Sequence, residues 1–321
     1  MVRRWPIALA LLAVLLPSAA QAQAWPARQP IKVIVPLSAG SAIDSVARVV
    51  VDQLSRQLGQ TILIENRVGA GGTLAVAAAA KAEADGYTLL IHSTTHAVTA
   101  TTYANPGYDA RRDFTGVTAL VSVPNVLAVP PKKYKTLKDL VNAGLASPGS
   151  LNYATVGPGS ASHLNAERFL AATGLKAQTV PFKGGPEALT DIMTDRVQFY
   201  FVPLPPARGL MKGGKIDVLA VSGSQRASAL PDVPTTVEAG FPNSDYNFWI
   251  GMFAPAAIPK DILARLNAET VKALAHPDVK AKLDNMGADP LPMTPAQFDD
   301  FVKKEIEINA ALVKAAGVKI N

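Results

Sequence analysis

The residues of this sequence with most scope for chemistry are small ones. Leu37-Ser38-Ala39-Gly40-Ser41 follows an apolar run, Ile31 to Pro36, and precedes a segment that opens at Ile43 and carries Asp44. The arrangement returns at Gly157-Pro158-Gly159-Ser160, after Leu151 to Val156 and before a segment carrying His163. Each reads as strand, Gly/Ser loop and helix start. A helix start presents unpaired backbone N–H groups and the positive end of the helix dipole, and so favours an anion. Glycine lets a ligand approach the backbone closely. Two such ends facing each other would clamp a carboxylate or another oxyanion without needing lysines. Ser38, Ser41 and Ser160 add hydroxyl donors. The competing reading is that both are tight turns between strand and helix.

Ser93-Thr94-Thr95 closes another predicted strand, and in open α/β sheets such ends line the ligand crevice. Its hydroxyls suit either ligand donation or a helix cap. His92 and His96 flank this loop and read as structural. His163 lies one turn into its helix, within reach of a cleft. Asp44 is placed to complement the helix dipole, to orient its loop or to meet a ligand amine. Gly69-Ala70-Gly71-Gly72 lacks both the Lys-[Ser/Thr] of a nucleotide P-loop and the G-x-G-x-x-G spacing. There is no G-x-S-x-G elbow and no H-E-x-x-H. Asp299-Asp300 reads as a solvated helix face.

Around these sites, strands alternate with helices. Ile43, Val46, Ala47, Val50, Leu54 and Leu58 recur at helical spacing, and Gly59 can close that helix. Thr61 to Glu65 and Tyr87 to Ile91 read as strands, with an Ala-rich helix from Thr73 between them. This is the pattern of a parallel sheet in an α/β domain. Val117 to Val129 is apolar but interrupted by Pro124, which predicts two strand halves with a crossing between domains. A second α/β unit follows, and Phe248 to Phe253 crosses back. Thr294-Pro295-Ala296-Gln297 is a capping box that opens a last helix. The predicted organisation is a segment 1–22, a first domain from 23–124 and 248–321, and a second from 125–247.

Composition narrows the function. The 321 residues are 49% hydrophobic and 17% charged, ample for a buried core and too apolar for disorder. With no cysteine, disulfides, thiolate metal sites and thiol nucleophiles are excluded, and four scattered histidines do not argue for a metal. A net charge of +6 without any long Lys/Arg run points away from nucleic acid and fits small anions. Arg3 and Arg4, the apolar stretch Ile7 to Leu16, Pro17 and Ala20-Gln21-Ala22 form a secretory signal peptide with a small-x-small cleavage site. No Cys follows it, so the expected product is a soluble periplasmic chain rather than a lipoprotein.

An ordered series of motifs resembles the Bug family, the substrate-binding receptors of tripartite tricarboxylate transporters. It begins with Trp25-Pro26, Ile34-Val35-Pro36, Ala39-Gly40, Asp44 and Ala47-Arg48. It continues through Glu65-Asn66-Arg67, Asp85-Gly86-Tyr87, Asn152-Tyr153, Gly159-Ser160 and His163-Leu164 to Pro181-Phe182-Lys183-Gly184, Pro231-Asp232-Val233-Pro234 and Trp249 with Gly251. The resemblance covers essentially the whole chain after the signal peptide. It implies a two-domain periplasmic binding protein of type II, with a hinge of two crossing segments. It also implies that backbone amides of the two helix-start loops, helped by waters, hold a ligand carboxylate. Three positions depart from the family: Leu37 replaces an aromatic, Ser41 a glycine and Val68 a proline.

The candidate ligand-binding residues are Leu37, Ser38, Ala39, Gly40, Ser41 and Asp44 in the first loop and Ser93, Thr94 and Thr95 in the next. Gly157, Pro158, Gly159, Ser160 and His163 follow, with Lys183 and Gly184. The expected function is capture of a dicarboxylate, an acidic amino acid or an aromatic carboxylate and its delivery to membrane transporter subunits. No catalysis, cofactor or metal is expected, and the chain is expected to be a monomer. A sensor partner using the same pocket and an exported hydrolase using a Ser with His163 or His96 are the alternatives.

Overall fold

The computed structural model describes residues 25–103 and 105–316. The signal peptide expected at 1–22 lies outside these residues. Strand β1 (Ile31–Val35) is followed by α1 (Ala42–Leu58), β2 (Ile62–Asn66), a 3-10 turn (Ala70–Gly72), α2 (Thr73–Ala80), β3 (Thr88–Ser93), α3 (Thr95–Thr102) and β4 (Phe114–Ser122). Next come β5 (Asn125–Val129), α4 (Leu137–Ala146), β6 (Leu151–Thr155), α5 (Ala161–Thr173) and β7 (Ala177–Pro181). They are followed by α6 (Gly185–Met193), β8 (Phe199–Pro203), α7 (Leu204–Lys212) and β9 (Asp217–Val221). The chain ends with β10 (Trp249–Pro255), α8 (Lys260–Ala275), α9 (Pro277–Met286), β11 (Asp289–Pro290) and α10 (Pro295–Ala316).

These strands form two sheets, ordered β11-β4-β10-β3-β1-β2 and β7-β6-β8-β5-β9. Neither is the all-parallel sheet expected from the strand–helix alternation. β1 runs parallel to β2 and β3, but β10 lies antiparallel between β3 and β4. In the second sheet β5 is antiparallel to β8 and β9. Both departures come from the crossings: strands that arrive from the other sheet enter in the opposite sense.

The chain passes twice between the two sheets. β4 ends at Ser122 in one sheet and β5 begins at Asn125 in the other, with Pro124 between them. The return passes through Phe248 into β10. The two passages touch, because the Val123 N–H donates to the Phe248 carbonyl at 2.9 Å.

Helix α1 forms for the reasons its sequence gives. Its apolar stripe, Ile43, Val46, Ala47, Val50 and Leu54, is fully buried against the first sheet's core. Burial of the Ile, Val and Leu side chains among them is worth about 1.5–3 kcal/mol each. Gly59, with φ +61°, ends the helix in the left-handed conformation that glycine adopts without penalty. The capping box of α10 is present: the Thr294 N–H donates to Gln297 Oε1 at 3.0 Å, and the Gln297 N–H to Thr294 Oγ1 at 3.3 Å. Among the described residues no helix is long and apolar enough to cross a membrane.

Candidate functional site

The first loop is fixed by its own side chains. Ser41 caps α1, its hydroxyl accepting from the Asp44 N–H at 3.3 Å. Asp44 is buried and fully engaged. It accepts from the Gly40 N–H at 2.8 Å, from Arg48 Nε and Nη2 at 2.9 Å each, and from Asn66 Nδ2 at 2.9 Å. Asn66 also donates to the Leu37 carbonyl at 2.9 Å. Burial would raise the Asp44 carboxyl, but the hydrogen bonds from Arg48, Gly40 and Asn66 outweigh it and hold the group below its ordinary value. Of the roles open to Asp44, the geometry favours orienting the loop.

The second loop is built alike. Ser160 caps α5 by accepting from the His163 N–H at 3.3 Å, and its hydroxyl lies 3.1 Å from that of Ser162. The His163 Nδ1 accepts from the Gly159 N–H at 3.1 Å, so the ring folds back onto its own loop. It stacks on Tyr153, and burial holds its pKa down against the opposing pull of Glu167. Gly157 and Gly159 have φ of +114° and +68°. At these angles a side chain is strained.

The two loops meet. Thr95 Oγ1 accepts from the N–H of Ala161, the first residue of α5, at 3.0 Å. Ser38 Oγ donates to Glu187 Oε2 at 3.1 Å. The Tyr103 hydroxyl donates to the Pro158 carbonyl at 2.8 Å. Gly157 faces Gly71 so closely that a Cβ on Gly157 would stand 3.1 Å from the Gly71 Cα.

Between the loops lie two cavities. An inner one of about 30 Å³ is lined by Ser41, Ser93, Thr95, Ser162, Tyr200 and Phe248, among others. It has room for about two waters. An outer one of about 450 Å³ is lined by Gly69 to Gly72, Gly157, Pro158, Phe182, Lys183 and Glu187. That volume suits a small molecule. Leu37 and Val156 line both cavities and so form the partition.

Residues 46–318 match the family model described as the tripartite tricarboxylate transporter family receptor. The chain belongs to this family. Protein BugT of Bordetella pertussis is 33% identical over 302 residues, 93% of this chain and 92% of that protein. The solved structure of R. palustris Rpa4515 with adipate has a TM-score of 0.88 at 34% identity, covering 92% of this chain and 99% of that one. MatC from Rhodopseudomonas palustris with bound malate gives 0.85 at 31% identity, covering 89% and 99%.

Within this receptor several candidate residues stand outside both cavities. The Thr94 hydroxyl accepts from the Trp249 N–H at 3.0 Å and ties its loop to β10. Ala39 is exposed on the first loop. Gly184 backs onto the first loop, where a Cβ would fall 2.0 Å from Ser38 Oγ. Lys183 is exposed at the outer cavity and makes no ion pair among the described residues. His92 and His96 are buried, as expected for structural residues, and His96 stacks on Phe253 at 4.4 Å. Tyr103, Glu187, Gly71, Ser162 and Tyr200 were not anticipated. Their relevance arises only when the two halves are brought together, which no local motif encodes.

Proposed function

We propose that this receptor works in the periplasm, after loss of its signal peptide, as a monomer that captures a small organic carboxylate between two domains. In this reading the domains are 23–124 with 248–321, and 125–247. The two passages between them act as a hinge, and the closed receptor delivers its cargo to the membrane subunits of a tripartite transporter. The observation that carries the reading is the convergence of the α1 and α5 starts on one cleft, with the hydroxyls of Ser41, Ser93, Thr95 and Ser162 around its inner cavity. The relatives solved with adipate and with malate support the carboxylate class.

Catalysis by Ser160 fits poorly. The His163 Nδ1 is occupied by the Gly159 N–H, and the group that reaches the Ser160 hydroxyl is the His163 backbone N–H, not its ring. A binder needs neither to be free.

Calorimetry with malate and adipate beside their diamides tests the reading. The acids are expected to bind, and the diamides to bind at least about fivefold more weakly, because bonds to a charged acceptor are stronger by about 1 kcal/mol or more. Equal affinities would refute it.

A further inference from the structure

We propose that Tyr200 is a ligand-binding residue whose phenol hydroxyl donates, in the inner cavity, to the carboxylate of the bound ligand. The inference rests on the cleft reading above and adds to it the side chain that recognises the anion. Tyr200 belongs to β8 in the second sheet and is 1% exposed.

The walls of the cavity show where its hydroxyl points. Tyr200 lines the inner cavity together with Gly185, the first residue of α6, and a Cβ on Gly185 would stand 3.8 Å from the Tyr200 hydroxyl. The cavity lies between the halves rather than inside either. Ser41, Ser93 and Phe248 come from the first sheet's side, and Ser162, Tyr200 and Val202 from the second's. The phenol oxygen is open to this space. It makes no hydrogen bond among the described residues, and unlike His92 Nε2, which is sealed in, it keeps accessible surface. Buried hydroxyls are normally satisfied. This one finds its partner only in what the cavity admits.

The other hydroxyls around the cavity are already committed. Ser41 Oγ accepts from the Asp44 N–H, and Ser93 Oγ donates to Thr95 Oγ1 at 3.3 Å. Thr95 Oγ1 accepts from the Ala161 N–H, and Ser162 Oγ accepts from the Val156 N–H at 3.1 Å. Each of these bonds holds a loop or a helix start in place. Of the five side-chain hydroxyls in the lining, Tyr200 alone is unengaged.

An anion suits this donor. No charged side chain lines the cavity, while α1, α5 and α6 begin on its wall at Ala42, Ala161 and Gly185 and bring the positive ends of three helix dipoles to it. The start of α6 has no side-chain cap, so its first N–H groups are not taken up in that way. Burial, reinforced by the Glu187 carboxylate, raises the Tyr200 pKa, so the phenol keeps its proton and acts as a donor. At about 30 Å³ the cavity has room for two water-sized groups, which the two oxygens of a carboxylate can replace. The carbon skeleton then occupies the outer cavity, beyond Leu37 and Val156.

The test uses the chain without its signal peptide. Malate and adipate are titrated by calorimetry into the wild type and into Tyr200→Phe, and both proteins are unfolded in urea. Phenylalanine keeps the ring and its packing and removes only the hydroxyl. For whichever acid binds, affinity is expected to fall about tenfold or more, because the lost bond is one to a charged acceptor. The urea midpoint is expected to be unchanged or raised, because no bond within the protein is lost. Unchanged affinity overturns the proposal. A fall in affinity with a lower midpoint also overturns it, since a merely supporting residue loses both. The two readings fail differently. Equal binding of the acids and their diamides by the wild type refutes the carboxylate reading of the cleft, and this proposal with it. A preference for the acids that Tyr200→Phe retains at full strength refutes only the role of Tyr200. If neither acid binds, ligand-observed NMR with formate, whose two oxygens match the inner cavity, replaces calorimetry. A formate signal in the wild type that Tyr200→Phe loses upholds the role, and any other result overturns it.

Discussion

Gly157 and Gly71 bring two stretches of backbone together with no side chain between them. Gly157→Ala would add a Cβ 3.1 Å from the Gly71 Cα at a φ of +114°. The backbone strain costs about 1–3 kcal/mol, but the clash exists only while the loops are together. Gly59→Ala is the control, since φ is +61° there and a Cβ would meet nothing within 4 Å. Both variants are expected to lose stability in urea unfolding, and only Gly157→Ala to lose carboxylate affinity in calorimetry. Asp44→Asn keeps the size of a buried side chain while removing the charge that Arg48 and the Gly40 N–H address. It should cost about 1.5–3 kcal/mol in the same unfolding assay, the range for hydrogen bonds to a charged group. Acid gives a further check on single residues. Burial lowers His92 well below 6.5 and lowers His96 to about 4. The unfolded chain then takes up protons that the folded chain refuses, so stability is complete above the unfolded value of 6.5 and falls as pH drops from there toward 4. The expected slope is about 1.4 kcal/mol per pH unit for each histidine within that window. His96→Phe should flatten the curve of unfolding free energy against pH.

Helix starts carry most of the design at the next scale, and they were also the most legible part of the sequence. Ser41 and Ser160 announce α1 and α5 because a capping serine, a preceding glycine and an apolar period agree with one another. Ser160→Ala is expected to lower stability by about 1 kcal/mol, the usual loss of an N-cap, read as a shift in urea midpoint at unchanged slope. Pro124 marked a crossing because proline cannot continue a strand ladder. Other elements gave weaker signals. Helix α3, with sequence Thr-His-Ala-Val-Thr-Ala-Thr-Thr, has four threonines and no apolar stripe, and it is held by packing against α10. Helix α4 does carry a readable sign, the Thr136/Asp139 capping box. The antiparallel placement of β10 was not readable from β10 itself, because strand sense depends on where the chain arrives from. For the same reason nothing local marks Glu187 and Tyr103: their partners, Ser38 and Pro158, come from the opposite half of the cleft.

Taken as a whole, the molecule holds its halves together by the two passages, by packing of α5 against α3 and α10 that buries Ala161 and Leu164 in the first sheet's core, and by hydrogen bonds that include Ser38 to Glu187, Tyr103 to Pro158, Ala161 to Thr95 and Arg208 to the Asp284 carbonyl. Neutral hydrogen bonds are worth about 0.5–1.5 kcal/mol each. In the proposed hinge reading, a ligand that touches both halves biases the molecule shut. Small-angle scattering is expected to show a smaller radius of gyration with saturating adipate or malate than without, if that compound is the cargo. The Glu187→Gln, Tyr103→Phe double variant should widen the gap by loosening the free form. The path of the chain also sets an order of assembly. The second sheet is built from one continuous stretch, β5 to β9, whereas the first cannot close until β10 arrives to join β3 to β4. A chain emerging from its N-terminus carries β3 and β4 with unpaired edges for more than a hundred residues of further synthesis and export. Such edges invite aggregation. Pulsed hydrogen exchange during refolding should protect the amides of β6 and β8 before those of β3 and β4. A truncation before Trp249 should leave the second sheet able to fold beside an N-terminal portion that needs a chaperone.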